Sequence, residues 1–309
     1  MNLEEFAKNL EKQFLFEPKI ENKDLLRKKE KLIFYGMGGS HLASDFLYFL
    51  KPNLDFFSIY DFNLPEREDI YERLNVFISF SGNTKETINC LNLALEKNLD
   101  CLVISQNGKI IEIAKEKQIP YIKIPEDKIL PRFGIGYMLK SLFELVEFKE
   151  KINLNLDNLF IENAEELARK LIDKIPIIYT FNYLKPFAYY LKISFNENLK
   201  TPAFLNLFPE IFHNEIEMLE NENLTKNFFF IIISSFKENE LNNRQIEIFK
   251  RILKMKNLDY FEIKLNTENK INSIFNFLIF SYKLSLILAL HKKIDINQTN
   301  LINFYKEEF

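Results

Sequence analysis

Four hydroxyl side chains, Ser79, Ser81, Thr84 and Thr87, fall within the stretch V-F-I-S-F-S-G-N-T-K-E-T, Val76 to Thr87. The run Val76–Phe80 is rich in β-branched and aromatic residues and predicts a buried strand. Ile88, Leu91, Ala94 and Leu95 then follow at helical spacing, so Ser81-Gly82-Asn83-Thr84 is a turn between a strand and a helix N-terminus. A helix start leaves N–H groups unpaired and carries partial positive charge. Ringed by hydroxyls, it suits an anion, and a phosphate above all. The purely structural alternative is that Ser81 or Asn83 only caps the helix. A similar unit precedes it: the short strand Leu32–Tyr35, the loop Gly36-Met37-Gly38-Gly39-Ser40, and a helix carrying Ala43, Phe46, Leu47 and Leu50. Alone, G-x-G-G-S is shared by many nucleotide-binding loops.

Chemistry beyond binding needs groups that move protons, and the chain has three histidines. His41 follows the glycine loop, where it faces solvent or caps the helix. His291 ends a long helix, where a cation complements the dipole. His213 lies in N-L-F-P-E-I-F-H-N-E-I-E, Asn206 to Glu217, among Glu210, Asn214 and Glu215, and is the candidate for proton transfer. Glu197, in F-N-E-N-L-K, falls at a helix C-terminus. There a carboxylate opposes the dipole, a local conflict that favours function. No His, Cys and carboxylate cluster has metal-ligand spacing and no nucleophile elbow occurs, so neither a metal enzyme nor a serine hydrolase is expected.

These residues need a scaffold, and the chain supplies enough for two domains. It has 309 residues, 47% hydrophobic and 28% charged, with a net charge of −3 that points to neither nucleic acid nor a membrane surface as partner. Cys90 and Cys101 fit a reducing compartment. The amphipathic start, Met1–Phe14, lacks the features of a signal peptide, and the apolar runs Phe228–Phe236 and Phe275–Leu290 are shorter than a bilayer requires. The expectation is a soluble cytoplasmic protein. All seven glycines lie in the first half, in or after loops that follow strands.

Strands at 32–35, 56–60, 76–80, 101–105 and 121–124 alternate with helices, the last at 137–148. This predicts a doubly wound, mainly parallel sheet over residues 1–152. The loops at Ser40, Ser81, Ser105 and Arg132 converge at its carboxyl ends, where ligands sit. After a linker at 153–161, a second α/β pattern fills 153–309: helix 164–174, strand 175–181, helix 186–198, a long irregular stretch, strand 228–234, helix 240–256, strand 260–265, helix 271–291 and a terminal helix 298–307.

Taken together, G-M-G-G-S at Gly36–Ser40 and S-F-S-G-N-T-K-E-T at Ser79–Thr87 resemble the sugar-isomerase (SIS) domain. P-R-F-G-I-G-Y at Pro131–Tyr137, N-E-N-L-K at Asn196–Lys200 and F-P-E-I-F-H-N-E at Phe208–Glu215 resemble its bifunctional phosphoglucose/phosphomannose isomerase branch. The resemblance implies two SIS subdomains and a homodimer with its active site at the subunit interface. It implies interconversion of glucose and mannose 6-phosphates with fructose 6-phosphate through a cis-enediol, without cofactor or metal. It makes Glu197 the base that moves the proton between C1 and C2, Arg132 the cation beside the enediolate, His213 the ring-opening histidine given by the neighbouring subunit, and Lys306 the C-terminal lysine that assists it. Gly39, Ser40, Ser79, Ser81, Thr84 and Thr87 match the sugar-phosphate loops, and Thr299 the threonine that makes room for the mannose epimer. The chain departs from the pattern at His41, Ser44 and Leu199, and at Asp295-Ile296-Asn297-Gln298, where D-P-x-P is usual. The alternatives are a SIS isomerase of another sugar phosphate and a non-catalytic sugar-phosphate sensor. Against the sensor, no basic helix-turn-helix is appended.

Overall fold

The computed structural model describes residues 1–309, which group into two compact units: Ala7–Ile152, and Met1–Phe6 together with Asn153–Phe309. The first helix, α1 (Leu3–Phe14), begins in the second unit and ends in the first. Its Phe6 ring stacks on Tyr282 with centroids 3.9 Å apart, and the Tyr282 hydroxyl donates to the Met1 carbonyl at 2.7 Å. Those contacts group the first six residues with the second unit, although the sequence assigns them to residues 1–152.

In the Ala7–Ile152 unit, six strands form one sheet in the order β1-β6-β5-β4-β2-β3. They are β1 (Ile20–Glu21), β2 (Leu32–Tyr35), β3 (Phe56–Ile59), β4 (Leu74–Ser79), β5 (Cys101–Ser105) and β6 (Tyr121–Lys123). All pairs are parallel except β1 on β6, a two-residue edge pairing too short to show in the sequence. Every residue of β2, β4 and β5 is buried. Helices α2 (Gly39–Leu50), α3 (Lys85–Glu96), α4 (Lys109–Glu116) and α5 (Ile135–Leu145) complete the unit. Burial on both faces is why these strands read as continuous apolar runs and not as alternating ones. From β2 the chain moves outward to β3, then returns to the other side of β2 to lay down β4, β5 and β6. Strand order thus reverses between β2 and β4.

The second unit has a four-stranded parallel sheet, β10-β9-β7-β8, from β7 (Ile175–Phe181), β8 (Phe204–Phe208), β9 (Phe228–Ser235) and β10 (Tyr260–Leu265). Its helices are α6 (Asn158–Lys170), α7 (Lys185–Ile193), α8 (Glu222–Thr225), α9 (Glu240–Met255), α10 (Lys270–Lys292) and α11 (Asn300–Glu308).

Several expectations are corrected here. The expected linker ends early, because the Asp157 side chain accepts the Phe160 N–H at 3.0 Å and starts α6 within it. The stretch expected to be irregular contains β8, an edge strand with alternating exposure whose Phe204 faces solvent; without a continuous apolar run it carries little strand signal. The helix expected to run to Asn198 leaves α geometry after Ile193, and Ser194–Asn198 form a π-helical turn. The apolar run expected to be too short for a membrane belongs to the 23-residue α10, which is long and apolar enough to cross one. Most of it is buried inside this unit, and Lys283 pairs with Glu165 of α6 at 2.6 Å, so α10 serves as a core helix.

Both cysteines are buried, Cys90 on α3 and Cys101 on β5. Burial, aided by Asp61 and Glu86 near Cys90 and by Asp100 near Cys101, pushes each thiol up to about 12. A raised thiol stays protonated and unreactive at ordinary pH. The native protein at pH near 8 is therefore expected to leave a disulfide reagent such as DTNB uncoloured, and to release two equivalents of chromophore per chain once unfolded in guanidinium. Rapid reaction in the native state would contradict this burial.

Candidate active site

The reversal between β2 and β4 places two helix N-termini at the carboxyl edge of one sheet, the position where doubly wound sheets bind ligands. Neither α2 nor α3 has a side-chain cap. The capping alternative for Ser81 and Asn83 is therefore not what the fold uses. Asn83 Oδ1 instead accepts the Lys109 N–H at 3.0 Å, at the start of α4, and exposed Ser81 accepts only the Asn83 N–H at 3.4 Å. Ser79, fully buried, shares a hydrogen bond with Thr84 Oγ1 at 2.9 Å and accepts the Gly82 N–H at 3.1 Å. Thr87, in the first turn of α3, is 2% exposed and its hydroxyl has no partner.

The loops around this edge are tied to one another. Ser40 Oγ accepts the Phe80 N–H at 3.2 Å, joining the glycine loop to the end of β4. The Gln106 N–H reaches the Phe80 carbonyl at 3.2 Å and the Ile110 N–H the Gly82 carbonyl at 3.0 Å, joining the loops after β4 and β5. Gln106 Nε2 then donates to the carbonyls of Pro125 and Asp127, at 2.8 and 3.0 Å, which reaches the loop carrying Arg132. Arg132 lies in the 3-10 turn Pro131–Phe133, 4% exposed, its guanidinium 4.9 Å from the Phe133 ring centre. Its backbone closes the circuit: a Cβ added to Gly39 would lie 3.0 Å from Arg132 Cα, so the first turn of α2 and the arginine turn meet backbone to backbone. Gly39, Ser40, Ser79, Ser81, Thr84, Thr87 and Arg132 thus belong to one connected rim.

In the second unit, Glu197 sits on the π-helical turn Ser194–Asn198, partly exposed. The surrounding residues hold that turn tightly. Asn198 is 1% exposed and donates to Ser285 Oγ of α10 at 3.1 Å, and Asn196 Nδ2 donates to the Thr201 carbonyl at 3.0 Å. The Lys200 ammonium donates to the carbonyls of Glu197 and Gln298, each at 2.5 Å. Lys200 therefore links the Glu197 turn to the segment entering Thr299, the N-cap residue of α11. π-Turns inside helices are frequent at functional sites because they re-aim side chains the α ladder would lock. The sequence shows Glu197 in conflict with a helix dipole; the structure keeps it at that helical C-terminal end, on the π-turn that follows the α ladder.

His213 is exposed at the end of the 3-10 turn Glu210–His213, and Lys306 is exposed on α11. The polar cluster around His213 is paired internally. Glu215 accepts from the Tyr179 hydroxyl at 2.9 Å and from Asn206 Nδ2 at 2.5 Å, and Glu210 accepts from Asn214 at 2.9 Å. His41, expected at solvent or as a cap, is instead buried, its Nδ1 3.1 Å from Asp45 Oδ2 and its ring 4.7 Å from that of Tyr60. Asp45, one helical turn on, is the signal the sequence offered for this.

Residues 160–309 match the model of the bacterial phospho-glucose isomerase C-terminal SIS domain. Over 234 residues the chain is 31% identical to the bifunctional phosphoglucose/phosphomannose isomerase of Aquifex aeolicus, covering 72% of each. The chain belongs to the bifunctional phosphoglucose/phosphomannose isomerase family. It is also 30% identical over 224 residues to the D-glucosamine-6-phosphate 4-epimerase of Sulfolobus acidocaldarius, covering 68% of this chain and 71% of that one. Among solved structures, the C-terminal domain of glucosamine-fructose-6-phosphate aminotransferase from Francisella tularensis matches with a TM-score of 0.66 over 96% of both chains at 14% identity, a likeness of fold alone. The doubly wound SIS architecture expected from the motifs is the fold of this isomerase-family chain.

Gly82 is the tightest point of the rim. Its φ is +75° and a Cβ there would lie 1.6 Å from the Asn107 carbonyl oxygen. Gly82→Ala is expected to cost about 3 kcal/mol, from left-handed strain plus a backbone clash. Calorimetry should show Tm lowered by roughly 5 °C or more. An unchanged Tm would mean that the loops after β4 and β5 are not paired as described.

Proposed function

We propose that the chain interconverts glucose 6-phosphate and mannose 6-phosphate with fructose 6-phosphate, using the two sets of residues described above. The observation that carries this is the rim itself: the turn bearing Arg132 meets the uncapped first turn of α2 backbone to backbone, and the hydroxyl-bearing loop after β4 is fastened to the same glycine loop through Ser40. In this reading Gly39, Ser40, Ser79, Ser81, Thr84 and Thr87 take the phosphate. That anchor supplies binding energy remote from the reacting carbons and so positions C1 and C2.

After ring opening, Glu197 takes the C2 proton of the aldose and returns it at C1 by way of a cis-enediol, a task that needs one carboxylate within reach of both carbons. The π-turn suits it, being fixed by Asn198 and Lys200 while leaving the carboxylate partly open. Arg132, permanently cationic and buried, stabilises the oxygen on which negative charge develops. His213 and Lys306 move the protons of ring opening. The exposure of His213 supports its service to the site of a neighbouring copy in a homodimer. Thr299, tied to the Glu197 turn through Lys200 and Gln298, admits the mannose epimer.

The test is a coupled assay on fructose 6-phosphate with EDTA-treated protein, following glucose 6-phosphate and mannose 6-phosphate separately. Both products are expected. Glucose 6-phosphate alone would remove the mannose activity. Neither product, with turnover of glucosamine 6-phosphate, would move the assignment to epimerisation, and binding without any turnover would move it to sensing. Glu197→Gln is expected to lower kcat by roughly a hundredfold to ten-thousandfold with KM little changed. Retained turnover would exclude Glu197 as the base. Mixing Glu197→Gln with His213→Ala protein should recover part of the activity if the site is shared between copies, and no recovery would argue against sharing.

A further inference from the structure

One polar side chain in the apolar stripe of α1 faces the arginine turn. Gln13 lies between Leu10 and Phe14, and all three are essentially fully buried. Its amide is used on both sides. Nε2 donates to the Phe133 carbonyl at 2.8 Å and to Asn9 Oδ1 at 2.7 Å, and Oε1 accepts the Gly136 N–H at 3.0 Å. Phe133 and Gly136 both belong to P-R-F-G-I-G, so Gln13 bridges the two peptide groups that lead out of the Arg132 turn and into α5. Asn9 donates onward to Asp127 at 3.4 Å, where Lys12 also binds at 2.9 Å along with the Tyr137 hydroxyl. One face of α1 therefore grips the 125–136 loop at both ends, within a single unit.

A buried amide is costly unless its groups are paired, and an apolar side chain would fill the same space without that demand. Here two of the three bonds go to the backbone that presents the guanidinium, and the third goes to Asn9, which orients the amide. We infer that Gln13 is a positioning residue for Arg132: it sets the orientation of the Phe133 and Gly136 peptides and thereby holds the arginine turn against the first turn of α2. This rests on the proposed role of Arg132 at the enediolate. A displacement of about 1 Å at such a group costs up to roughly a hundredfold in rate.

The experiment compares Gln13→Leu in the wild-type and Arg132→Ala backgrounds, on fructose 6-phosphate. In the wild type the substitution should lower kcat by roughly tenfold to a hundredfold with KM changed by less than about twofold, because the phosphate loops are untouched. In the Arg132→Ala background it should lower kcat by less than about twofold, since the group it positions is gone. Gln13→Glu supplies a second measure. When protonated, its carboxyl donates to one carbonyl and accepts from Gly136 as the amide does; when ionised, it faces the Phe133 and Asn9 oxygens with charge. Its kcat relative to wild type should therefore rise as pH falls from about 8 to about 6. Full additivity of Gln13→Leu with Arg132→Ala, or an unchanged kcat in Gln13→Leu, would overturn the inference. Should Gln13→Leu fail to fold, a flat pH ratio for Gln13→Glu would overturn it alone. Failure of the underlying reading is separately visible: Arg132→Ala with wild-type kcat, or an inactive unsubstituted protein, removes the role of Arg132 and the positioning of it together.

Discussion

Everything in the Ala7–Ile152 unit that can hold an anion depends on one topological constraint, the reversal of strand order between β2 and β4. Parallel strands buried on both faces leave polar groups only at their ends. At the carboxyl end the two strands feed α2 and α3, whose first turns both start at that edge of the sheet. The hydroxyls of Ser40, Ser79 and Thr84 also brace that arrangement. They fasten the loops, through Ser40 to Phe80 and through Ser79 to Gly82, so that the helix amides stay where the fold puts them.

The second unit reverses its strand order in the same way, between β7 and β9, yet its carboxyl edge is furnished differently. Glu238 accepts from the Ser235 N–H at 3.1 Å and from Asn242 at 2.8 Å, and it pairs with the Tyr183 hydroxyl, whose acidity burial and this carboxylate both suppress. A carboxylate of the protein occupies the backbone and side-chain donors at this edge. The unit's distinctive feature lies instead on α7, where the α ladder gives way to the π-turn carrying Glu197. The duplicated architecture thus carries two different kinds of candidate site, one on loops at helix starts and one on a turn that bears a carboxylate.

The rim of the first unit and the turn of the second share a style of construction. In both, the candidate reactive group sits on a short non-α turn, Arg132 on a 3-10 turn and Glu197 on a π-turn. In both, buried amides hold the turn: Gln13 for the arginine, Asn198 for the glutamate. An amide can donate and accept at once without carrying charge, so it fixes backbone in an apolar setting at lower desolvation cost than an ion pair.

The sequence by itself determined the strand–loop–helix rhythm, the buried strands, the glycine- and hydroxyl-rich loops after them and the segments bearing Arg132, Glu197 and His213. These are legible because continuous apolar runs, scarce glycines and hydroxyl clusters are local properties. It misread β8, whose alternating edge-strand pattern resembles a loop, and it carried α7 smoothly through to Asn198, since no local residue signals a π-turn. It also left His41 at the surface or as a helix cap and gave Gln13 no role. Only the tertiary structure decided those points: which loops fasten to which, where a helix abandons its ladder, and which polar side chain is buried. The physical reason is that each depends on a partner far away in the chain, as Gln13 depends on Phe133 and Asn198 on Ser285, and pairing across such distances leaves no periodicity behind.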